Sequence, residues 1–442
     1  MATTESSRPL QSSIKSVTPP IDSSTHIYAL INYKDTYVQP LLLIALQKCL
    51  PRSSYTLIKS QSELPSQAVN YLHIGTYEDL PFEYIMSHVT TSLTNAYIIR
   101  KALIRKHYLS TTAHNWITKY PTSILQTNIK VSCEFELDYP EFLDDAIVEA
   151  WELQQSFKNN VGKNAADREW WILKPGMSDR GHGIRLFSTQ AELQAIFEEW
   201  EALRSDSDDE LGNDELCPNT SSNFNHEDRN KLITSDLRHF VAQLYISQPF
   251  LLRENPRKFH IRTYVLAIGG LKVYVYHEML ALFSPLKYTP PWDDLSSGDI
   301  SAHLTNTCLQ TGNHDGSVQL LTTLDLPAAL KTSIYDQIDH ISGEIFEAAA
   351  RGMLVHFQTL PNVFEVFGLD FLVDEAGTTW LLEVNAFPDF QQTGHELQEV
   401  VSGLWEAVVA TAVVGFFGIT PNSFCKLARE KMRLVKDIKL RG

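Results

Sequence analysis

The stretch Val363–Pro388, VFEVFGLDFLVDEAGTTWLLEVNAFP, decides the reading of this chain. Two apolar runs flank the polar loop Asp374-Glu375-Ala376-Gly377-Thr378, the pattern of a β-hairpin. Folding about Ala376 puts Asp370 opposite Leu382 or Glu383, and the two-residue period of a strand puts Glu383 and Asn385 on one face. The neighbours Val366, Phe367, Phe371, Leu372, Leu381, Leu382 and Val384 predict a buried hairpin, where an unpaired carboxylate is costly. Two carboxylates and an amide oxygen are hard ligands. They suit Mg²⁺ held together with substrate phosphates better than Zn²⁺. In an arbitrary sequence a hairpin whose acids face water is the commoner case, so the rest of the chain has to decide.

The chain has 442 residues, 43% of them hydrophobic, and a formal net charge of −16, which allows two or three globular domains. The acidity is uneven: nine acids against Arg204 fall between Glu198 and Glu215. With no basic stripe, nucleic acid is excluded as a partner. Cys49, Cys133, Cys217, Cys308 and Cys425 are widely spaced and odd in number, which suggests neither a disulfide framework nor a zinc site. Residues 1–25 are Ser-, Thr- and Pro-rich and read as a disordered tail without a secretory signal. The apolar run Ala407–Ile419 is too short to span a bilayer. The expectation is a soluble cytoplasmic protein with no membrane partner.

Strands at His26–Asn32, Tyr55–Lys59 and Val69–Ile74 alternate with a helix at Tyr37–Leu50, predicting a small α/β domain over 26–125. Asn95–Tyr108, NAYIIRKALIRKHY, reads as an amphipathic helix carrying Arg100, Lys101, Arg105 and Lys106. The remainder, 126–425, reads as one core. Within it WWILKPGMSDRGHGIRLF, from Trp170, is strand, glycine-rich loop, strand, which fits neither a P-loop nor a dinucleotide fingerprint. Such a loop can lay backbone N–H groups over phosphates while Lys174 and Arg180 add charge. Residues 201–236 read as an acidic disordered insertion. His239–Ile246 is a strand, and on the strand that follows Lys258, His260 and Arg262 share one face, as for an anion. Leu330–Arg351 and Leu397–Gly418 read as helices, and 426–442, with seven bases and two acids, as a basic terminal helix packing back on the fold.

Taken in order, WILKPGMSDRGHGI, FVAQLYISQPFLL, RKFHIRTYVL, HLTN and FEVFGLDFLVDEAGTTWLLEVNAFP resemble the tubulin-tyrosine ligase-like family of the ATP-grasp superfamily. NAYIIRKALIRK is a weaker match. The resemblance implies an α/β (α+β) ATP-grasp fold with a small N-terminal domain. It implies an ATP- and Mg²⁺-dependent ligase that adds an amino acid to a protein carboxylate, with tubulin the default acceptor. It places Lys101, Lys174, Arg180, Gly181, Gln243, Leu244, Tyr245, Ile246, Lys258, His260, Thr305 and Asn306 on ATP. Asp370, Glu383 and Asn385 would hold the metal, and Glu383, Arg262 and Lys174 would carry catalysis. Two departures stand out. His260 replaces the family's usual acid, and by spacing His277 and Leu282 fall where the family has Arg, so an apolar Leu stands at an anion-holding position. An altered ATP-binding interaction module on the same fold is the alternative.

Overall fold

The computed structural model describes residues 26–65, 69–176, 183–210, 238–293, 300–305, 317–390 and 397–439. Three sheets carry them. The first is parallel, with β1 (Ile27–Asn32), β2 (Tyr55–Ile58), β3 (Asn70–Gly75) and β4 (Ser92–Thr94) in the order β2-β1-β3-β4. Parallel neighbours need crossovers, which α1 (Val38–Cys49) and α2 (Phe82–Ser87) supply. Helix α1 buries Val38, Leu41, Leu42, Ala45, Leu46 and Cys49, an apolar stripe at helical spacing.

The helix expected over Asn95–Tyr108 is broken. Asn95 accepts from Gly75 N at 2.9 Å, Tyr97 N donates to Glu365 Oε2 at 2.9 Å and Arg100 Nε pairs with Glu365 Oε1 at 2.9 Å. These long-range partners hold the segment out of helical geometry. Helices α3 (Lys101–Ile104) and α4 (Lys106–Lys119) follow, separated by Arg105 in extended conformation (φ −100°, ψ 124°). A short α5 (Leu125–Asn128) leads to the second sheet.

That sheet is antiparallel: β5 (Ser132–Glu136), β6 (Trp171–Pro175), β7 (Arg185–Phe187) and β8 (His239–Leu244) in the order β5-β8-β6-β7. Between β5 and β6 the chain winds through short turns into α6 (Leu143–Ala146) and α7 (Trp151–Asn160). Leu143, Ile147, Leu153, Phe157 and Trp171 form its core with Phe197 and Trp200 of α8 (Gln190–Glu210). Helix α8 corrects the expected start of the acidic insertion, since 201–210 is helical; 211–237 lies outside the described residues, as does the tail 1–25.

The third sheet has seven strands: β9 (Arg257–Ile268), β10 (Lys272–Tyr276), β11 (Leu280–Lys287), β12 (Val318–Leu320), β13 (Phe364–Val373), β14 (Thr379–Ala386) and β15 (Met432–Asp437). Strand β9 is central, paired with β10 and β11 on one side and β13 on the other. Helix α9 (Ala328–Gly352) lays Ile334, Ile338, Ile341, Ile345 and Phe346 on this sheet. Helix α10 (Gln398–Val408) continues through a π-turn, Val409–Val413, into α11 (Val414–Phe416). By length and composition Gln398–Phe416 could cross a bilayer, but 72% of its apolar window is buried inside the fold, the packing of a core helix. The basic tail is only partly the helix expected. After α12 (Ser423–Glu430) it becomes β15, because the free edge of β10 offers a ladder that an isolated helix lacks. Cys49, Cys133 and Cys425 are buried free thiols.

Candidate active site

A cavity of about 390 Å³ opens between the second and third sheets, lined from β6, β8, β9, β13, β14, α4 and the segment around His303–Thr305. The sequence places each wall. On β9, Lys258, His260 and Arg262 alternate with Phe259 and Ile261, so the period of two sends the three basic groups to the cavity and the apolar residues to the core. On the hairpin, β13 pairs with β14 so that Asp370 stands opposite Glu383. A register shift after Asp370 decides this. Phe371 faces Leu381, so without the bulge Asp370 would face Leu382 and the two carboxylates would be staggered.

Asp374 fixes the hairpin loop, its Oδ1 accepting from Ala376 N (3.0 Å) and Thr378 N (2.8 Å), and its Oδ2 from Trp380 Nε1 (2.8 Å). Gly377 takes a left-handed φ of 83°, which glycine tolerates without strain. The chain leaving β8 is tied to the same loop, Glu375 N donating to Gln248 O at 3.0 Å and Phe250 N to Val373 O at 2.8 Å. Gln243, Leu244, Tyr245 and Ile246 are thereby held along one wall of the cavity.

Electrostatically the site is a paired set of buried charges. The Arg262 fork grips Asp370, with Nε on Oδ1 and Nη2 on Oδ2 at 3.1 Å. Burial pushes the Asp370 carboxyl up to about 7, with Arg262 pulling the other way and Glu383 adding to the rise. Burial also opposes the Arg262 cation, but Asp370 more than offsets it and the guanidinium sits above its ordinary range. A two-pronged fork needs both carboxylate oxygens as acceptors, so Asp370 is the ionised partner. At Glu383 burial again works upward. Lys106, a hydrogen bond from Asn385 (Nδ2 to Oε1, 3.0 Å) and Lys174 outweigh it and hold the carboxyl down at about 2.

Lys174 Nζ donates to Gln243 Oε1 at 2.7 Å, and Lys258 Nζ to Tyr245 OH at 2.9 Å, which in turn meets His303 Nδ1 at 2.9 Å. Burial lowers Lys174 to about 8 despite the Glu383 carboxylate, and lowers Lys258 to about 7 with the Lys174 charge adding to the drop. These are cations short of anions. His260 is buried and neutral, pushed down to about 3 by desolvation and then by Arg262. Its Nδ1 meets Thr305 Oγ1 at 2.6 Å, and its Nε2 faces Asp370 Oδ1 at 3.6 Å without a hydrogen-bond partner.

Of the residues singled out from sequence, Lys174, Gln243, Leu244, Tyr245, Ile246, Lys258, His260, Arg262, Thr305, Asp370, Glu383 and Asn385 line this one cavity. Arg180, Gly181 and Asn306 lie outside the described residues. Lys101 is a correction. It is exposed on α3 and away from the cavity, whereas Lys106, five residues on, lines it. The break at Arg105 makes Lys106 the first residue of α4 and turns it inward. Lys130 was missed altogether; it also lines the cavity, its Nζ 3.4 Å from the centre of the Trp380 ring. The repeated Arg-Lys pairs in IIRKALIRK were a signal for Lys106, but an isolated Lys130 gave none. Neither His277 nor Leu282 reaches the cavity: His277 Nε2 bonds Asp339 at 3.1 Å, and Leu282 is buried in the core.

The family model of the tubulin-tyrosine ligase family matches residues 102–418. The chain belongs to that family. A probable tubulin–tyrosine ligase of Schizosaccharomyces pombe is 42% identical over 93% of this chain and 97% of its own length. A second, PBY1 of Saccharomyces cerevisiae, is 40% identical over 87% of this chain, which spans only 52% of that protein. The crystal structure of the C-terminal domain of K. lactis Pby1, an ATP-grasp enzyme interacting with the mRNA decapping enzyme Dcp2, superposes with a TM-score of 0.68 at 35% identity. The match covers 94% of this chain and 100% of that domain, so the fold is ATP-grasp. Membership of this family on the ATP-grasp fold supports a ligase-type role and ATP binding.

Proposed function

We propose that this protein is an ATP- and Mg²⁺-dependent carboxylate–amine ligase that joins an amino acid to a protein carboxylate through an acyl phosphate. One observation carries the proposal: Lys106, Lys174 and Lys258 share a single cavity with Asp370, Glu383 and Asn385. Lys174 and Lys258, both depressed by burial, await polyphosphate, and the paired carboxylates await a cation.

The residues fit Mg²⁺. Among the described residues no cluster of three His, Cys, Asp or Glu could hold a metal, which disfavours a dedicated protein cage. Asp370 and Glu383, directly opposite each other across the hairpin with the Asn385 amide beside them, suit a hard cation shared with phosphate oxygens. A bound Mg²⁺ would supply charge neutralisation between the phosphates and these carboxylates.

The chain's own groups do the rest. Gln243 to Ile246 line the adenine, and Thr305 stands by the ribose with His260, whose imidazole is neutral at working pH. Lys174 and Lys258 draw the polyphosphate in, while Lys106 and Arg262 spread the charge of the γ-phosphoryl group as a substrate carboxylate oxygen attacks it and ADP departs. An amine then attacks the acyl carbon and phosphate leaves. Positioning and preorganised charge, more than covalent help from the protein, lower the barrier. With Leu282 in the core, the acceptor is not anchored through that position. Tubulin and Dcp2 are the two protein partners that the relatives' names supply, and either could present the acceptor carboxylate.

The test is Mg²⁺-dependent ADP release by the purified chain with pooled amino acids and either tubulin-tail peptides or a Dcp2 homologue, with mass spectrometry of the acceptor. A mass increase of one amino-acid residue, abolished in Glu383→Gln, supports the reading. ATP binding with no turnover on any protein acid would overturn it.

A further inference from the structure

Between β5 and β6 the chain presents large apolar side chains to solvent. Tyr139 is 46% exposed, Phe142 52%, Val148 61% and Trp151 66%. They are not a failed core, because Leu143, Ile147, Ala150 and Leu153 of the same stretch are buried in the second sheet's core. The outward set follows a three-residue spacing: 139, 142, 145, 148, 151. Several hydrogen bonds here span three residues, including Phe142 N to Tyr139 O at 3.1 Å, Val148 N to Asp145 O at 3.3 Å and Ala150 N to Ile147 O at 3.0 Å. Side chains three apart in such a turn lie near one another, and Tyr139, Phe142, Val148 and Trp151 are the exposed apolar members of this ridge. The Tyr139 and Phe142 rings are in edge-on contact at 6.3 Å.

The surroundings state what would cover it. From Glu134 to Glu152 the sequence has eight acids and no Lys or Arg. Glu141, Asp144, Asp145, Glu149 and Glu152 are exposed around the ridge. Asp138 is paired with Arg238 at 3.2 Å and Asp144 accepts from Gln190. We propose that this ridge docks a basic, amphipathic segment of a partner protein, apolar residues on Trp151 and Phe142, Lys and Arg on the flanking acids. Charge excludes the other occupants. Nucleic acid and anionic membrane would be repelled. A second copy meeting ridge to ridge would set acids against acids. The chain's own 211–237 has five acids and two bases and offers no complement.

The test is calorimetric titration of the full chain with two synthetic helical peptides that share a leucine face, one with Lys and Arg on the other face and one with Glu. The basic peptide should bind, and raising salt should weaken it. Trp151→Ala and the double variant Asp145→Lys/Glu149→Lys should each weaken it by about tenfold, the size of effect typical of an aromatic anchor or its charged surround. Both changes lie at exposed positions, so the variants should melt with the parent. Equal binding of the two peptides would overturn the proposal, as would binding indifferent to Trp151→Ala. Concentration-dependent dimerisation lost in Trp151→Ala would overturn it in favour of a self-interface.

Discussion

Nucleotide binding should take up protons, and by an amount that the lysine environments set. In the free protein Lys258 is held down at about 7 and Lys174 at about 8. At pH 8 about 0.9 of Lys258 and about 0.5 of Lys174 is therefore neutral. Polyphosphate beside them restores the charged forms, so binding at pH 8 draws in about 1.4 protons, and the nucleotide dissociation constant rises about tenfold from pH 7 to pH 8. The sign follows from the direction of the shift. A cation depressed in the free state and restored in the complex weakens binding as pH rises. Titration calorimetry with ADP in buffers of different ionisation enthalpy counts the protons directly. In Lys258→Met the count at pH 8 should fall to about 0.5, and the change in affinity between pH 7 and pH 8 to about twofold. Proton uptake near zero in the parent would refute the reasoning, since it would mean that these lysines are charged before the nucleotide arrives.

Arg262→Met leaves Asp370 buried without its fork and should cost about 3–5 kcal/mol in urea unfolding, most of it recovered when Asp370→Leu is added. Lys106→Met should lower ligase turnover by about 10²-fold while Lys101→Met leaves it unchanged, a split that steady-state kinetics of the two variants resolves. A Cβ at Gly368 would sit 3.0 Å from Pro388 Cβ and 3.4 Å from Arg262 Cδ, so Gly368→Ala should destabilise by about 1–3 kcal/mol and lower the melting temperature.

Much of the site was legible because strand periodicity is rigid. Lys258, His260 and Arg262 could share a face only if their strand was regular, and burying Phe259 and Ile261 made it so. The hairpin likewise declared its acids through its apolar flanks. Lys106 and Lys130 were less legible, since a lysine in a helix reads as solvated unless its surroundings are known. The late start of the helical stretch, at Lys101 and not Asn95, comes from Tyr97 and Arg100 reaching Glu365 on β13, more than 260 residues away in sequence. The terminal basic segment shows the same effect: it read as one helix, and the open edge of β10 drew its second half, Met432–Asp437, into the sheet.

The sequence by itself therefore determined which residue types the cleft contains and which strands present them, because side-chain alternation and apolar burial are local properties of the chain. Tertiary structure alone decided that Asp370 meets Glu383 and not Leu382, that Lys106 and not Lys101 faces them, and that Leu282 belongs to the core. The physical reason is that a bulge, a helix break and the direction of a side chain between two sheets are fixed by partners distant in sequence.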